Sequence, residues 1–269
     1  MVICFLTDFG LADDFVGTCH GVIEQIAPGT RVIDVTHGIP PTAVTQGALV
    51  LASTLPYMPV AVHLAVVDPG VGSARRPLAL RDNDGRFFVG PDNGLLLPAA
   101  DRAGIVEARE LANPEYALET ISRTFHGRDL FAPAAAHLAR GVPLAELGPP
   151  IDPDALVRLD LPVARVVDRG IEATALYVDS FGNIALNLTR GDLEELSIVP
   201  GTRLELELGG QRYYAVAART FADARAGDVI LYEDSYRNMS IAISRGNAAA
   251  MLHATPGRKV TVRTFDALG

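Results

Sequence analysis

Apolar positions in the N-terminal part of the chain follow two alternating rhythms. The β-branched runs "VICFL" and "RVIDVT" and the continuous "VAVHLAVV" have the length and composition of strands. Between them, "DDFVGTCHGVIEQIAPG" sets Phe15, Cys19, Val22, Ile23 and Ile26 at helical spacing ahead of a Pro-Gly stop, and "AVTQGALVLASTL" has the same period. This βαβαβ order predicts a mostly parallel sheet covered on both faces. Beyond Asp68, "RPLALRDNDGRFFVGPDNG" predicts a hairpin turning at Asn83-Asp84-Gly85. A short helix in "LLLPAADRAG" and a longer one from Asp129 through "LFAPAAAHLARG" follow.

From residue 164 the apolar period shortens to two. "ARVVDRGIEATALYVDSFGNIALNL", "TRLELELGGQRYYAVAA", "DVILYEDSYRNMSIAIS" and "RKVTVRTF" alternate in polarity and are separated by Gly and Asp turns, with one helical piece, "TRGDLEEL". The expected fold class is therefore an N-terminal α/β domain over residues 1–145 and a C-terminal all-β barrel or sandwich over 164–269. Residues 146–163, with Pro149, Pro150, Pro153 and Pro162, have the composition of a linker. No internal repeat stands out.

Composition narrows the function classes. The chain has 269 residues, nearly half of them apolar, and a formal net charge of -9. No basic cluster exceeds Arg75-Arg76, so a nucleic-acid partner is not expected, because neutralising phosphates needs a concentrated Lys/Arg surface. The two cysteines, Cys4 and Cys19, lie in apolar patterns and predict buried free thiols in a reducing compartment. With neither a charged leader nor an apolar stretch of about 18 residues, the expectation is a soluble, cytoplasmic protein without a membrane partner.

Chemistry-bearing residues gather at the predicted strand ends. Asp8 in "TDFG" follows the first strand, where a carboxylate is placed to accept hydrogen bonds from a ligand such as a ribose, or simply to cap a turn. "VVDPGVGSARR" ends another strand with Asp68, a glycine loop and Arg75. It lacks the lysine of a phosphate loop and runs on into a β segment, so it is either a plain turn or a loop folding Arg75 back toward Asp68 around a water. His126 in "FHGRD" precedes a helix, where an imidazole can exchange protons near neutral pH. His63 and His137 sit at packed positions. No pair of His, Cys or carboxylates has a local metal-ligand spacing, so no metal is assigned and no cofactor is expected. In the second domain, "DSFGN" and "SRGNAA" place polar groups at glycine bends, where they form either a ring-binding edge or ordinary hairpin turns.

Taken together, "LTDFG", "VVDPGVGSARR", "GPDNGLL", "FHGRD", "DSFGN" and "SRGNAA" occur in an order that resembles the S-adenosyl-L-methionine hydroxide adenosyltransferases, relatives of the bacterial fluorinase and chlorinase. The resemblance runs over nearly the whole chain. It implies an α/β domain joined to a β-barrel, a homotrimer with sites between subunits, and S-adenosyl-L-methionine as substrate. By the same resemblance Asp8 binds the ribose hydroxyls, and Asp68, Arg75 and His126 handle the nucleophilic water. Asp179, Phe181, Asn183, Ser244 and Arg245 match the segments that hold the methionine and adenine portions. Where relatives often place an aromatic residue near "PPxD", this chain has Thr42 in "IPPTAV".

The halogenases differ from this chain at the nucleophile loop. They resemble it elsewhere but carry a tyrosine-type residue and a threonine-rich loop in place of Asp68 and "GVGSARR", and the fluorinase has a long insertion after it. A fixed carboxylate should repel a halide and accept a hydrogen bond from water. The expected reaction is therefore hydrolysis at the ribose C5′, giving adenosine and methionine. The alternatives are a halogenase-type reaction and non-catalytic binding of S-adenosyl-L-methionine or adenosine.

Overall fold

The structure, a computed structural model, describes residues 1–265. It divides into two compact units, Met1–Leu159 and Asp160–Gly269.

The first unit is built on strands β1 (Ile3–Thr7), β2 (Val32–Thr36), β3 (Val62–Val66), β4 (Pro77–Asp82), β5 (Phe87–Pro91) and β6 (Ile105–Glu110). Its helices are α1 (Phe15–Ile26), α2 (Val44–Thr54), α3 (Leu97–Ala100) and α4 (Ala132–Ala139). The strand order is β2-β1-β3-β5-β4-β6. β1 pairs in parallel with β2 and β3, and β3 with β5, whereas β4 is antiparallel to both β5 and β6. β1 and β3 are buried at every position, as strands covered on both faces must be. α1 and α4 pack on one face with Phe5, Leu64 and Val89. α2 and α3 pack on the other with Leu6, Leu78 and Phe88.

This order positions the site. After β1 the chain crosses to β2 on one side and then returns to place β3 on the other, so the winding reverses between β1 and β3. In open α/β sheets the carboxyl ends of two such strands diverge and leave a crevice, where ligands bind. Asp8 follows β1 and Asp68 lies two residues beyond β3, at that edge.

The hairpin expected at Asn83-Asp84-Gly85 joins β4 to β5, with Gly85 at φ +79°. The long helix expected from Asp129 begins differently. Gly127–Phe131 forms a wide π-type turn, and regular helix starts only at Ala132, one residue ahead of Pro133. Proline supplies no N–H and is accommodated in the first turn of a helix, which sets the boundary there. Residues 146–159, given by their prolines to a linker, pack on the first unit instead. Leu147 and Leu156 are buried, and the Val157 amide donates to Asp92 at 2.9 Å.

The second unit holds β7 (Arg165–Val167), β8 (Gly170–Val178), β9 (Ile184–Leu186), β10 (Arg203–Leu208), β11 (Gln211–Ala217), β12 (Val229–Glu233), β13 (Met239–Ile243) and β14 (Lys259–Thr264). Its helices are α5 (Arg190–Glu195) and α6 (Ala248–Leu252). The β8–β14 pairing closes the sheet into a barrel, with β7 appended to β8. Alternating residues of β8, β10 and β14, among them Ile171, Leu204, Leu206, Val260 and Val262, fill the interior. α5, the helical piece expected in "TRGDLEEL", begins with a capping box in which Thr189 and Asp192 satisfy each other's backbone amides. α6, within "SRGNAAAML", is a second helical segment that the sequence reading left in a turn; Asn247 caps it by accepting from the Ala250 amide at 2.7 Å.

Candidate active site

Beyond β3, residues 68–75 form a compact glycine loop. The Val71 amide donates to the Asp68 carbonyl at 3.2 Å and the Ser73 amide to that of Gly70 at 3.0 Å, which turns the chain back on itself. Gly72 has φ +77°, and a Cβ there would stand 2.5 Å from the Arg123 carbonyl oxygen, so backbone passes where no side chain fits. The consequence is that Arg75 reaches Asp68. Its Nε donates to Oδ1 at 3.0 Å and to Oδ2 at 2.9 Å, and its Nη2 also donates to Oδ2. Both side chains are over nine-tenths buried, and the guanidinium carbon lies 5.1 Å from the Phe131 ring centroid. The contact is direct. A water therefore does not fit between the two groups, contrary to the loop-around-water reading.

His126 joins them from the loop before the π-type turn. Arg75 Nη2 lies 2.8 Å from His126 Nδ1. A guanidinium offers only donors, so Nδ1 accepts, and the neutral imidazole carries its proton on Nε2. Burial and the neighbouring Arg75 charge both push the His126 pKa below the ordinary histidine range, which favours this neutral form. The loop is held by Asp129, which is fully buried: it accepts from the Ser122 amide at 2.7 Å and from Arg128 Nε at 2.6 Å. Phe9, Phe15 and Phe125 add three edge-to-face contacts with centroids 5.1 to 6.0 Å apart, tying this loop to the one after β1.

Asp8 sits on that neighbouring loop. Its Oδ2 accepts from the Thr42 amide at 2.9 Å. Partial burial, with the Asp68 charge as a smaller contribution, raises its pKa above the usual carboxylate value. Thr42 holds φ +69°, an uncommon state for a β-branched residue, so backbone strain is stored where the amide meets Asp8.

The adjacent arginines point to different partners. Arg76 leaves on the opposite side and donates to Asp92 at 2.8 Å and to the Ala155 carbonyl at 2.7 Å. Asn93 donates to the carbonyl of Val67 at 2.9 Å, fixing the residue before Asp68. The "PDN" of "GPDNGLL" is thus a brace for the 68–75 loop.

In the second unit, a cavity of about 660 Å³ is lined by Phe181, Asn183 and Arg245 from the expected set. Phe181 is 77% exposed, a free ring face at the rim. Asp179 lies beneath, accepting from the amides of Phe181 (2.9 Å) and Asn183 (2.8 Å) and from Asn183 Nδ2 (2.7 Å). Ser244 is buried beside Arg245 and its backbone pairs with Asp228 and Gly227, so it supports the wall without lining it. Tyr232, Asp234, Ser235 and Phe221 line the cavity and were not singled out from the sequence. A signal for two of them was present. "DSYRN" (234–238) repeats "DSFGN" (179–183): Asp234 accepts from the amides of Tyr236 (2.8 Å) and Asn238 (3.0 Å), and Arg237 at φ +67° stands where Gly182 has φ +83°. The same aspartate-centred turn therefore occurs twice, and each copy contributes to the cavity.

A carboxylate–guanidinium–imidazole set at the sheet reversal and a barrel with a cavity of about 660 Å³ define the protein as an α/β domain joined to a β-barrel. Residues 3–148 match the SAM hydroxide adenosyltransferase N-terminal domain and residues 173–261 the C-terminal domain of the same family. The chain belongs to the SAM hydroxide adenosyltransferase family. It is 50% identical over 261 residues to the (R)-S-adenosyl-L-methionine hydrolase of Salinispora arenicola, with 97% of each chain covered. Against a fluorinase of an Actinoplanes species the identity is 31%, again with 97% of each chain covered. A conserved protein of Thermotoga maritima of known crystal structure superposes with a TM-score of 0.90 at 33% identity, covering 97% of this chain and 100% of the other.

Proposed function

We propose that this protein hydrolyses S-adenosyl-L-methionine at the ribose C5′, giving adenosine and L-methionine. The observation that carries the reading is the Asp68–Arg75 pair at the carboxyl end of β3, its side chains over nine-tenths buried, with the partly buried His126 on the same Arg75. In the reaction the water oxygen bonds to C5′ while the C5′–S bond breaks. The bonding pair passes to sulfur, which leaves as a neutral thioether, and one water proton is released. The leaving group takes no proton, so the chemical demand falls on the water.

The hydrogen bonds support one distribution of the parts. Neutral His126 has Nδ1 occupied by Arg75 and a proton on Nε2, so it presents a donor and no free lone pair. Asp68 is the acceptor: Oδ2 takes bonds from both Nε and Nη2 of Arg75, whereas Oδ1 takes one from Nε and keeps a lone pair that can accept a hydrogen bond from water and align its oxygen on C5′. Arg75 keeps Asp68 ionised and so able to accept from the water, and its cation stabilises the negative charge that develops on the water oxygen as the proton leaves. Asp8 holds the ribose hydroxyls, with Thr42 orienting its carboxylate. Phe181, Asn183 and Arg245 contact the planar and charged ends of the substrate, supported by Asp179 and Ser244. The protein acts in the cytoplasm as a homotrimer, with no cofactor and no nucleic-acid or membrane partner. Support for the trimer is the family resemblance; among the described residues no helix is long and apolar enough to cross a membrane.

The test is chromatographic identification of products after incubation with S-adenosyl-L-methionine, with and without chloride. Adenosine and methionine in both conditions support hydrolysis. A chloride-dependent 5′-chloro-5′-deoxyadenosine peak would instead make the protein a halogenase, and bound substrate without turnover would make it a binding protein.

A further inference from the structure

His20 on α1, Asp34 on β2 and His37 just beyond β2 converge away from the Asp68 set. His20 Nε2 lies 2.9 Å and His37 Nε2 3.1 Å from the same oxygen, Asp34 Oδ1, and the three donor atoms lie within 4.8 Å of one another. His37 is 5% exposed, yet among the described residues its Nε2 makes no hydrogen bond. Its Nδ1 is 2.9 Å from Thr7 Oγ1, a hydroxyl that also accepts from the Phe9 amide at 3.1 Å. When His37 Nδ1–H donates to that hydroxyl, a buried Nε2 lone pair faces a carboxylate oxygen at contact distance. A shared cation reconciles two such lone pairs, and a carbonyl or hydroxyl holding the other ring nitrogen is the usual support of a ligating histidine. The Phe5 ring, edge-on at 4.8 Å to His37 and tilted at 5.9 Å to His20, fixes both imidazoles.

We propose that His20, Asp34 and His37 bind one divalent first-row transition-metal ion. Donor pairs 2.9 and 3.1 Å apart around an ion at roughly 2.1 Å subtend about 90°. That is narrower than a closed tetrahedral site requires, and two imidazoles with one carboxylate at such angles leave positions for water. The half-exposed Asp34 and partly exposed His20 put those positions on the solvent side. The ion would clasp α1 to the end of β2. The His37 carbonyl accepts from the Gly10 amide at 2.8 Å and the following loop carries Thr42 to Asp8, so the clasp also steadies the substrate-facing loops.

The test uses the full chain without an added histidine tag, stripped with chelator and titrated with Co²⁺ and then Zn²⁺. One equivalent of Co²⁺ with visible d–d absorption, displaced by Zn²⁺, is expected. His20→Ala and Asp34→Asn, both at solvent-accessible positions, should weaken binding at least about tenfold, while His253→Ala leaves it unchanged. A rise in melting temperature with Zn²⁺ should be seen in the parent and lost in both variants. Absence of Co²⁺ binding in the parent, or binding retained in either variant, would overturn the proposal.

Discussion

In the proposed reaction Asp68 and His126 have different jobs, and substitution separates them. Asp68→Ala removes the water acceptor and leaves Arg75 buried without its partner. Its rate of adenosine release should fall by about 100-fold or more with a smaller change in KM, as a group acting on the nucleophile does. His126→Asn keeps an acceptor for Arg75 Nη2 and should cost less. Equal and complete loss in both would place the proton on the imidazole instead. The pH profile gives a second reading. His126 has its pKa lowered by burial and by Arg75, so its neutral, Arg75-accepting form persists as pH falls below the ordinary histidine value of about 6.5. The acid limb of kcat/KM should accordingly lie below that value, and a limb at or above it would contradict the assignment.

At the scale of the element, the nucleophile loop works because backbone replaces side chains. Gly72→Ala would force a left-handed φ on alanine and drive a methyl against the Arg123 carbonyl. It should lower the melting temperature and the activity together, whereas Gly85→Ala, at a hairpin turn with open space around it, should cost stability and leave the rate unchanged. Much of this element was legible in the sequence: the strand, the glycine turn and the return of Arg75 all follow from "VVDPGVGSARR". Direct Arg75–Asp68 contact was not, because loop geometry decides whether a water fits between. Asp234 and Ser235 are missed where "DVILYEDSYRNMSIAIS" is read only as β structure, although its Asp-Ser-aromatic-x-Asn spacing matches "DSFGN"; Tyr232, on β12, carries no such signal. His20, Asp34 and His37 come from a helix, a strand and a loop, so no local spacing announces them. The prolines of 146–159 suggested a free linker, but Leu147 and Leu156 supply the apolar contacts that dock it.

Across the whole molecule, buried histidine couples stability to pH. His63 is fully buried in β3, stacked on Phe88 with ring centroids 5.1 Å apart, and among the described residues neither ring nitrogen has a hydrogen-bond partner. Burial, helped by the Arg86 charge, lowers its pKa to about 4. The unfolded chain therefore binds the proton first as pH falls from about 6.5, and this site's contribution is lost between there and pH 4, with a limiting slope of about 1.4 kcal/mol per pH unit. Urea unfolding across that window should show stability rising with pH, and His63→Leu should flatten the slope; an unchanged slope would place the effect elsewhere. Light scattering of the purified chain should give the mass of a trimer, and a monomer would remove that part of the proposal. The central claim is that water attacks C5′, and its most direct measurement is turnover of S-adenosyl-L-methionine in ¹⁸O-labelled water with mass analysis of the products. One ¹⁸O atom in the adenosine 5′-hydroxyl and none in methionine is the expected result; unlabelled adenosine, a halogenated nucleoside or label in methionine would contradict it.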